Sequence, residues 1–194
     1  MQNRTTRQCR GAPTRFRAVS EENKRYIEGY FAVFNSVYEL WPGATESIAP
    51  TAFDGALNDD IRALIDHCTE MVLGRSNNHV HTLELRVDSH GLWGRIEINE
   101  NDVDATNLYA RVVRGDVDQC SFGFEILDEE AEYRDDGSVH WTIRKVKLYE
   151  VSVCTFPAYE ETSVSARRRD YDNIKKRRHD AWRSNILRRI KRDA

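Results

Sequence analysis

The sequence predicts a β-rich α+β domain, a small antiparallel β-barrel or strongly bent sheet flanked by a few helices. Three observations carry this expectation. Runs such as Tyr26–Phe34 concentrate aromatic and β-branched residues, which fit a half-buried pleated surface. Between residues 82 and 87, Leu83, Leu85 and Val87 alternate with Thr82, Glu84 and Arg86, the period of two expected of a sheet buried on one side. One segment of about a dozen residues, Asp102–Arg114, has apolar residues on a helical stripe and a glycine just beyond its end. With 194 residues and 40% hydrophobic content, the chain can build one core and not two full domains.

Residues 1–20 carry Arg4, Arg7, Arg10, Arg15 and Arg17, with no acid before residue 19 and little periodicity, and read as a flexible basic arm. Residues 21–166 form the expected domain and 167–194 a separate tail. The first strand is expected over 25–34. Residues 35–50 read as loop, punctuated by Pro42-Gly43, and 51–57 as a short helical turn. Ile61, Leu64 and Ile65 recur at spacings of three and four, which predicts a helical stripe ending at His67. Val80–Val87 and Leu92–Ile98, joined through Asp88-Ser89-His90-Gly91, read as a β-hairpin. A helix follows over 102–114 with Asp104 as its cap and Gly115 as its stop. Strands at 122–127, 140–147 and 148–155 complete a set of six or seven, with the acidic stretch 128–137 as an exposed hairpin loop. No repeat of 20–50 residues is present.

The net charge of −3 conceals a division. Residues 167–194 hold 12 Lys/Arg against 4 Asp/Glu, a charge of +8, so residues 1–166 carry 17 − 28 = −11. An acidic body with a basic appendage suits contact with an acidic partner. In the tail, Trp182, Ile186 and Ile190 recur every four residues and predict an amphipathic helix with a positive face, read as a docking segment; the acidic body argues against a nucleic-acid-binding role for the whole chain. No apolar run approaches the roughly 18 residues of a membrane span and no signal peptide is evident, so a cytosolic protein is expected. Cys9, Cys68, Cys120 and Cys154 are widely spaced, without a Cys-x-x-Cys pair, so reduced thiols are expected rather than a zinc site or a disulfide framework.

Three residues stand out for their chemistry. A serine hydroxyl is a poor nucleophile at neutral pH unless an imidazole takes its proton, and the imidazole works best when a third group fixes its tautomer. His67, Ser121 and Glu150 supply a base, a nucleophile and an orienting acid. Cys120 adjoins the candidate nucleophile, but successive strand residues face opposite ways, so Cys120 and Ser121 cannot address the same histidine. His79 and His81 share a strand face and suggest a metal pair with His67, yet no His-Glu-x-x-His spacing supports one, and no metal or cofactor is expected. Either histidine is an alternative to Glu150 as third member.

The residues also resemble a known family, the tailed-phage prohead (procapsid maturation) proteases, which share the herpesvirus assemblin type of fold. The motifs that carry the resemblance run in order: Gly29-Tyr30-Phe31-Ala32-Val33-Phe34-Asn35, Glu46-Ser47-Ile48-Ala49-Pro50-Thr51-Ala52-Phe53, His67 followed by Val72-Leu73-Gly74-Arg75, Gly91-Leu92, Ser121-Phe122-Gly123-Phe124, and Glu150-Val151-Ser152 leading to Phe156-Pro157-Ala158-Tyr159. The resemblance covers about residues 26–165 and implies an assemblin-like fold. It also implies a serine endopeptidase with Ser121 as nucleophile and His67 as base, with no cofactor. The herpesvirus relatives use a second histidine as third member, where Glu150 looks equivalent here. Implied substrates are phage scaffold or the major capsid protein's scaffolding segment, and then the enzyme itself. The expected setting is the assembling procapsid in the host bacterial cytoplasm. Self-cleavage is expected near Ser163-Val164-Ser165-Ala166 or at Ala166-Arg167, and a homodimer is a possible active form. The rival is a noncatalytic phage assembly protein that keeps the fold.

Overall fold

The computed structural model describes residues 8–12, 16–21 and 24–156, together with 171, 172, 176, 179, 180 and 183. The chain divides into two compact units, Met1–Tyr159 and Glu160–Ala194. The described residues of the second unit are helical. Trp182, Ile186 and Ile190, which carry the amphipathic reading of the tail, lie outside the described residues, as does the expected cleavage site at 163–167.

The first unit is built from two sheets. The larger contains β1 (Gln8–Ala12), β4 (Tyr38–Trp41), β5 (Ala44–Ile48), β6 (Ile61–Ile65), β7 (Cys68–Ser76), β10 (Gln119–Tyr133) and β11 (Val139–Cys154); the smaller contains β2 (Arg17–Glu21), β3 (Lys24–Val33), β8 (Leu83–Val87) and β9 (Gly91–Glu97). The small sheet runs β2-β3-β9-β8, all antiparallel. The large sheet runs β1-β10-β11-β5-β4, with β6 and β7 branching from β11. This is possible because β11 is 16 residues long: its beginning pairs in parallel with β5 and its end in parallel with β6. Among the described residues neither sheet closes on itself, so the barrel expected from the sequence is replaced by two open sheets. Among the described residues of the first unit, the few flanking helices reduce to one α-helix, α1 (Val103–Arg114), and a 3-10 turn at Ala56–Asn58.

Phe31 on β3 and Phe122 on β10 have no exposure, and the buried apolar residues of both sheets form one continuous core. Ring contacts run through it: Phe16 to Phe31 at 4.9 Å, Phe53 to Phe122 at 5.7 Å and Phe122 to Phe124 at 4.7 Å between centroids. Gly94 allows the Phe31 ring this close, since a Cβ there would fall 2.5 Å from it. The helix buries Ala105, Leu108 and Val112. Its cap is Asp102 rather than Asp104, with the carboxylate accepting the amides of Asp104 and Ala105, and Gly115 ends it at φ 86°.

Several local readings are corrected: the stretch 35–50, read as loop, contains β4 and β5, and the strands expected at 140–147 and 148–155 are one strand, β11. The stretch read as a flexible arm contains β1 and β2. The run Ile61–Ile65 is a strand, not a helical stripe: lying between β11 and β7 it is buried almost throughout, and such a continuous apolar run matches helical spacing as readily as strand spacing. The acidic loop 128–137 shrinks to a turn, because β10 continues to Tyr133. There the Arg144 guanidinium donates to Asp128 at 3.0 Å and to Glu130 at 3.1 Å, offsetting their charge across the strand pair.

Candidate active site

His67 sits at the tip of the β6–β7 hairpin. The two residues between Ile65 and Cys68 are Asp66 at φ 47° and His67 at φ 60°, the left-handed pair of a type I′ turn. Asp and His tolerate this region better than bulkier residues, but without glycine it costs on the order of 1 kcal/mol or more per residue. The turn is held in place by bonds to β11. The Asp66 amide donates to the Val153 carbonyl at 3.0 Å, the Asp66 carboxylate accepts the Thr155 amide at 2.8 Å, and the His67 amide donates to Ser152 Oγ at 3.3 Å.

Ser121 and Glu150 lie on the adjacent strands β10 and β11. Residues directly opposite one another in a sheet share a face. Ser121 stands opposite Ser152 on one side and Gly11 on the other; Gly123 stands opposite Glu150 and Cys9. One face therefore carries Cys9, Gly11, Ser121, Gly123, Glu150 and Ser152, and the opposite face carries Cys120, Phe122 and Val151. The Cys120 thiol accordingly reaches the Tyr30 carbonyl at 3.0 Å inside the core.

Glu150 is the centre of the polar network. Its Oε1 lies 2.7 Å from His67 Nδ1, and its Oε2 accepts the Ser152 hydroxyl at 2.6 Å. Glu150 is 1% exposed, and these bonds help satisfy its buried oxygens. A carboxylate on Nδ1 fixes the neutral ring with its proton there and leaves the Nε2 lone pair available. Ser121 Oγ and His67 Nε2 are both buried and make no hydrogen bond among the described residues. Ser121 thus reaches the face that holds the His67–Glu150 pair without being bonded to the imidazole. In serine hydrolases such bonds can be long before substrate binds.

His79 and His81 are exposed, whereas the partner at His67 Nδ1 is the buried Glu150. Among the described residues the group able to hold a metal ion is Cys9, His67 and Glu150. Cys154, on β11, is a thiol whose pKa is pushed far up, first by burial and then by the charge of Asp66. A pocket of about 270 Å³ opens beside Glu150, lined also by Leu64, Thr69, Val72, Tyr149 and the Asp60–Arg62 pair.

Sequence reasoning missed two contributors. Ser152 joins the Glu150 carboxylate to the His67 backbone, and its signal was the spacing of two from Glu150, which puts both side chains on one strand face. Strand β1 brings Cys9 within 3.6 Å of His67 Nδ1 and places Gly11 beside Ser121. Its local sequence gave no sign of this.

A buried hydroxyl, an imidazole and a carboxylate on one sheet face are the equipment of a serine hydrolase. The chain belongs to the caudovirus prohead serine protease family, whose model matches residues 13–177. It is 27% identical over 157 residues to the prohead protease of Enterobacteria phage HK97, a match covering 79% of this chain and 64% of that protein, so the chain spans less than two thirds of that relative's length. Among solved structures it is similar to the bacteriophage T4 capsid assembly protease gp21, with 12% identity and a TM-score of 0.49 over 78% of this chain and 97% of that one. Among the described residues no helix is long and apolar enough to cross a membrane.

Proposed function

We propose that this protein is a serine endopeptidase of phage capsid maturation, cutting scaffold or the capsid protein's scaffolding segment, and itself, inside the procapsid. The observation that supports the reading is the 2.7 Å hydrogen bond between His67 Nδ1 and Glu150 Oε1, beside the sheet face that also carries Ser121. In the reaction, Nε2 takes the Ser121 proton as Oγ attacks a peptide carbonyl, and then delivers it to the leaving amine. Water enters by the same route and releases the acyl group. Glu150 stabilises the imidazolium formed in each step, and Ser152 holds the carboxylate in place. At Ser121 both edges of β10 are taken, by β1 and by β11, so a substrate strand could pair there only in place of β1.

The test is intact mass spectrometry after coexpression with scaffold and capsid protein. Wild type should yield discrete fragments, and Ser121→Ala none. By analogy with a well-characterised serine protease, losing the serine or the histidine should lower turnover by about 10⁶ and Glu150→Gln by about 10⁴. Fragments that persist in Ser121→Ala exclude the mechanism. A wild-type protein that cleaves nothing and takes up no serine-directed phosphonate favours the noncatalytic assembly role.

A further inference from the structure

We propose that Cys9, His67 and Glu150 form a binding site for a thiophilic divalent cation, Zn²⁺ above all, that clamps strand β1 onto the candidate base and silences it. The ligand atoms lie within 4.8 Å of one another. Cys9 Sγ is 3.6 Å from His67 Nδ1. A tetrahedral ion with metal–sulfur and metal–nitrogen bonds of about 2.3 and 2.0–2.1 Å needs these atoms about 3.5 Å apart. The 2.7 Å separation of His67 Nδ1 and Glu150 Oε1 suits a shared proton, so the carboxylate oxygen must draw back by roughly half an ångström for a metal to replace it.

The surroundings fit such an ion. Cys9 is 4% exposed and Glu150 1%. The Ser152 hydroxyl already bonds the second carboxylate oxygen, the outer support that orients ligating carboxylates. A thiolate and a carboxylate neutralise a dication, with the imidazole as neutral third ligand. Sulfur and nitrogen donors select Zn²⁺, Cd²⁺ or Co²⁺ over Mg²⁺ and Ca²⁺.

The proton balance ties this site to the candidate chemistry. On binding, the Cys9 thiol releases one proton to solvent. The neutral imidazole keeps its proton but moves it from Nδ1 to Nε2, because Nδ1 now gives its lone pair to the metal. An Nε2 that carries a proton cannot take one from Ser121. The silencing part of this inference rests on the peptidase reading; the binding part does not.

The experiment titrates the full-length, metal-free protein with Cd²⁺ alone and then Zn²⁺ alone. One equivalent of Cd²⁺ should raise a thiolate-to-cadmium band in the near ultraviolet with release of one proton, and Zn²⁺ should displace it while a hundredfold excess of Mg²⁺ does not. Cys9→Ser should remove the band, and Cys68→Ser and Cys154→Ser should keep it. The site is overturned if wild type gives no band, if the band persists in Cys9→Ser, or if Mg²⁺ competes. Self-processing should stop with one equivalent of Zn²⁺ and resume with a chelator; processing unaffected by bound Zn²⁺ overturns the silencing. A band in a protein that cleaves nothing in metal-free buffer sinks the peptidase reading and leaves the site standing.

Discussion

Ser152 shows how much of the site depends on a group that takes no part in bond making. Its hydroxyl donates to Glu150 Oε2 and accepts the His67 amide, so one oxygen fixes both the carboxylate and the strained turn that carries the imidazole. Ser152→Ala leaves a buried carboxylate oxygen short of a donor, at a cost of roughly 1–3 kcal/mol. Steady-state kinetics on a peptide substrate should show kcat falling about 10–100-fold with KM little changed, and Ser152→Thr should restore part of the loss. A change in KM alone counts against this role. At this scale residue type alone would leave many such trios, and Ser121, His67 and Glu150 were singled out by the ordered motifs around them. The sequence was silent on Cys9, whose meaning comes only from the strand that sets it against His67.

Among the elements, α1 was legible and β1 was not, and the difference is the range of the forces involved. Asp102 and Gly115 cap the helix through bonds to residues within four positions, so its ends are written locally. Strand β1 exists because Arg10, 3% exposed, reaches Glu46 at 2.6 Å across 36 residues while Gln8–Ala12 pairs with β10. The guanidinium also donates to the Cys9 carbonyl and to Gln8, and lies 5.8 Å from the Phe124 ring centre. From sequence alone Arg10 was one more charge in a basic arm. Breaking a buried ion pair from one side costs about 3–5 kcal/mol, since it strands the other charge. Arg10→Ala should therefore release β1 selectively. Hydrogen exchange at residues 8–12 should accelerate well beyond that of β10 and β11. Because β1 occupies the β10 edge beside Ser121, cleavage of added peptide should rise. Uniform acceleration through both sheets would show that Arg10 supports the whole fold instead.

For the whole molecule the question is whether two sheets unfold as one. Each contains a carboxylate held below its ordinary range. Asp60, beside β6, is lowered well below the usual value by Arg75 and then Arg62, which tie it to the hairpin that carries His67. Asp88, after β8, is lowered first by the Tyr30 hydroxyl on β3. A group whose folded pKa is depressed stabilises the fold above its unfolded pKa, near 3.8 here, and loses that contribution as pH falls toward the folded value. Urea midpoints should thus hold steady down to about pH 4 and fall below it. Asp60→Asn should be less stable than wild type at neutral pH, with the gap closing as the solution is acidified. The single core shared by both sheets predicts that these losses are cooperative. Trp93 on β9 and Trp141 on β11 report on the two sheets separately when read one at a time in single-tryptophan variants. Their transitions should coincide for wild type and for Asp60→Asn alike. A variant in which Trp141 melts first while Trp93 stays folded would make the sheets independent units and the large sheet the weaker of the two.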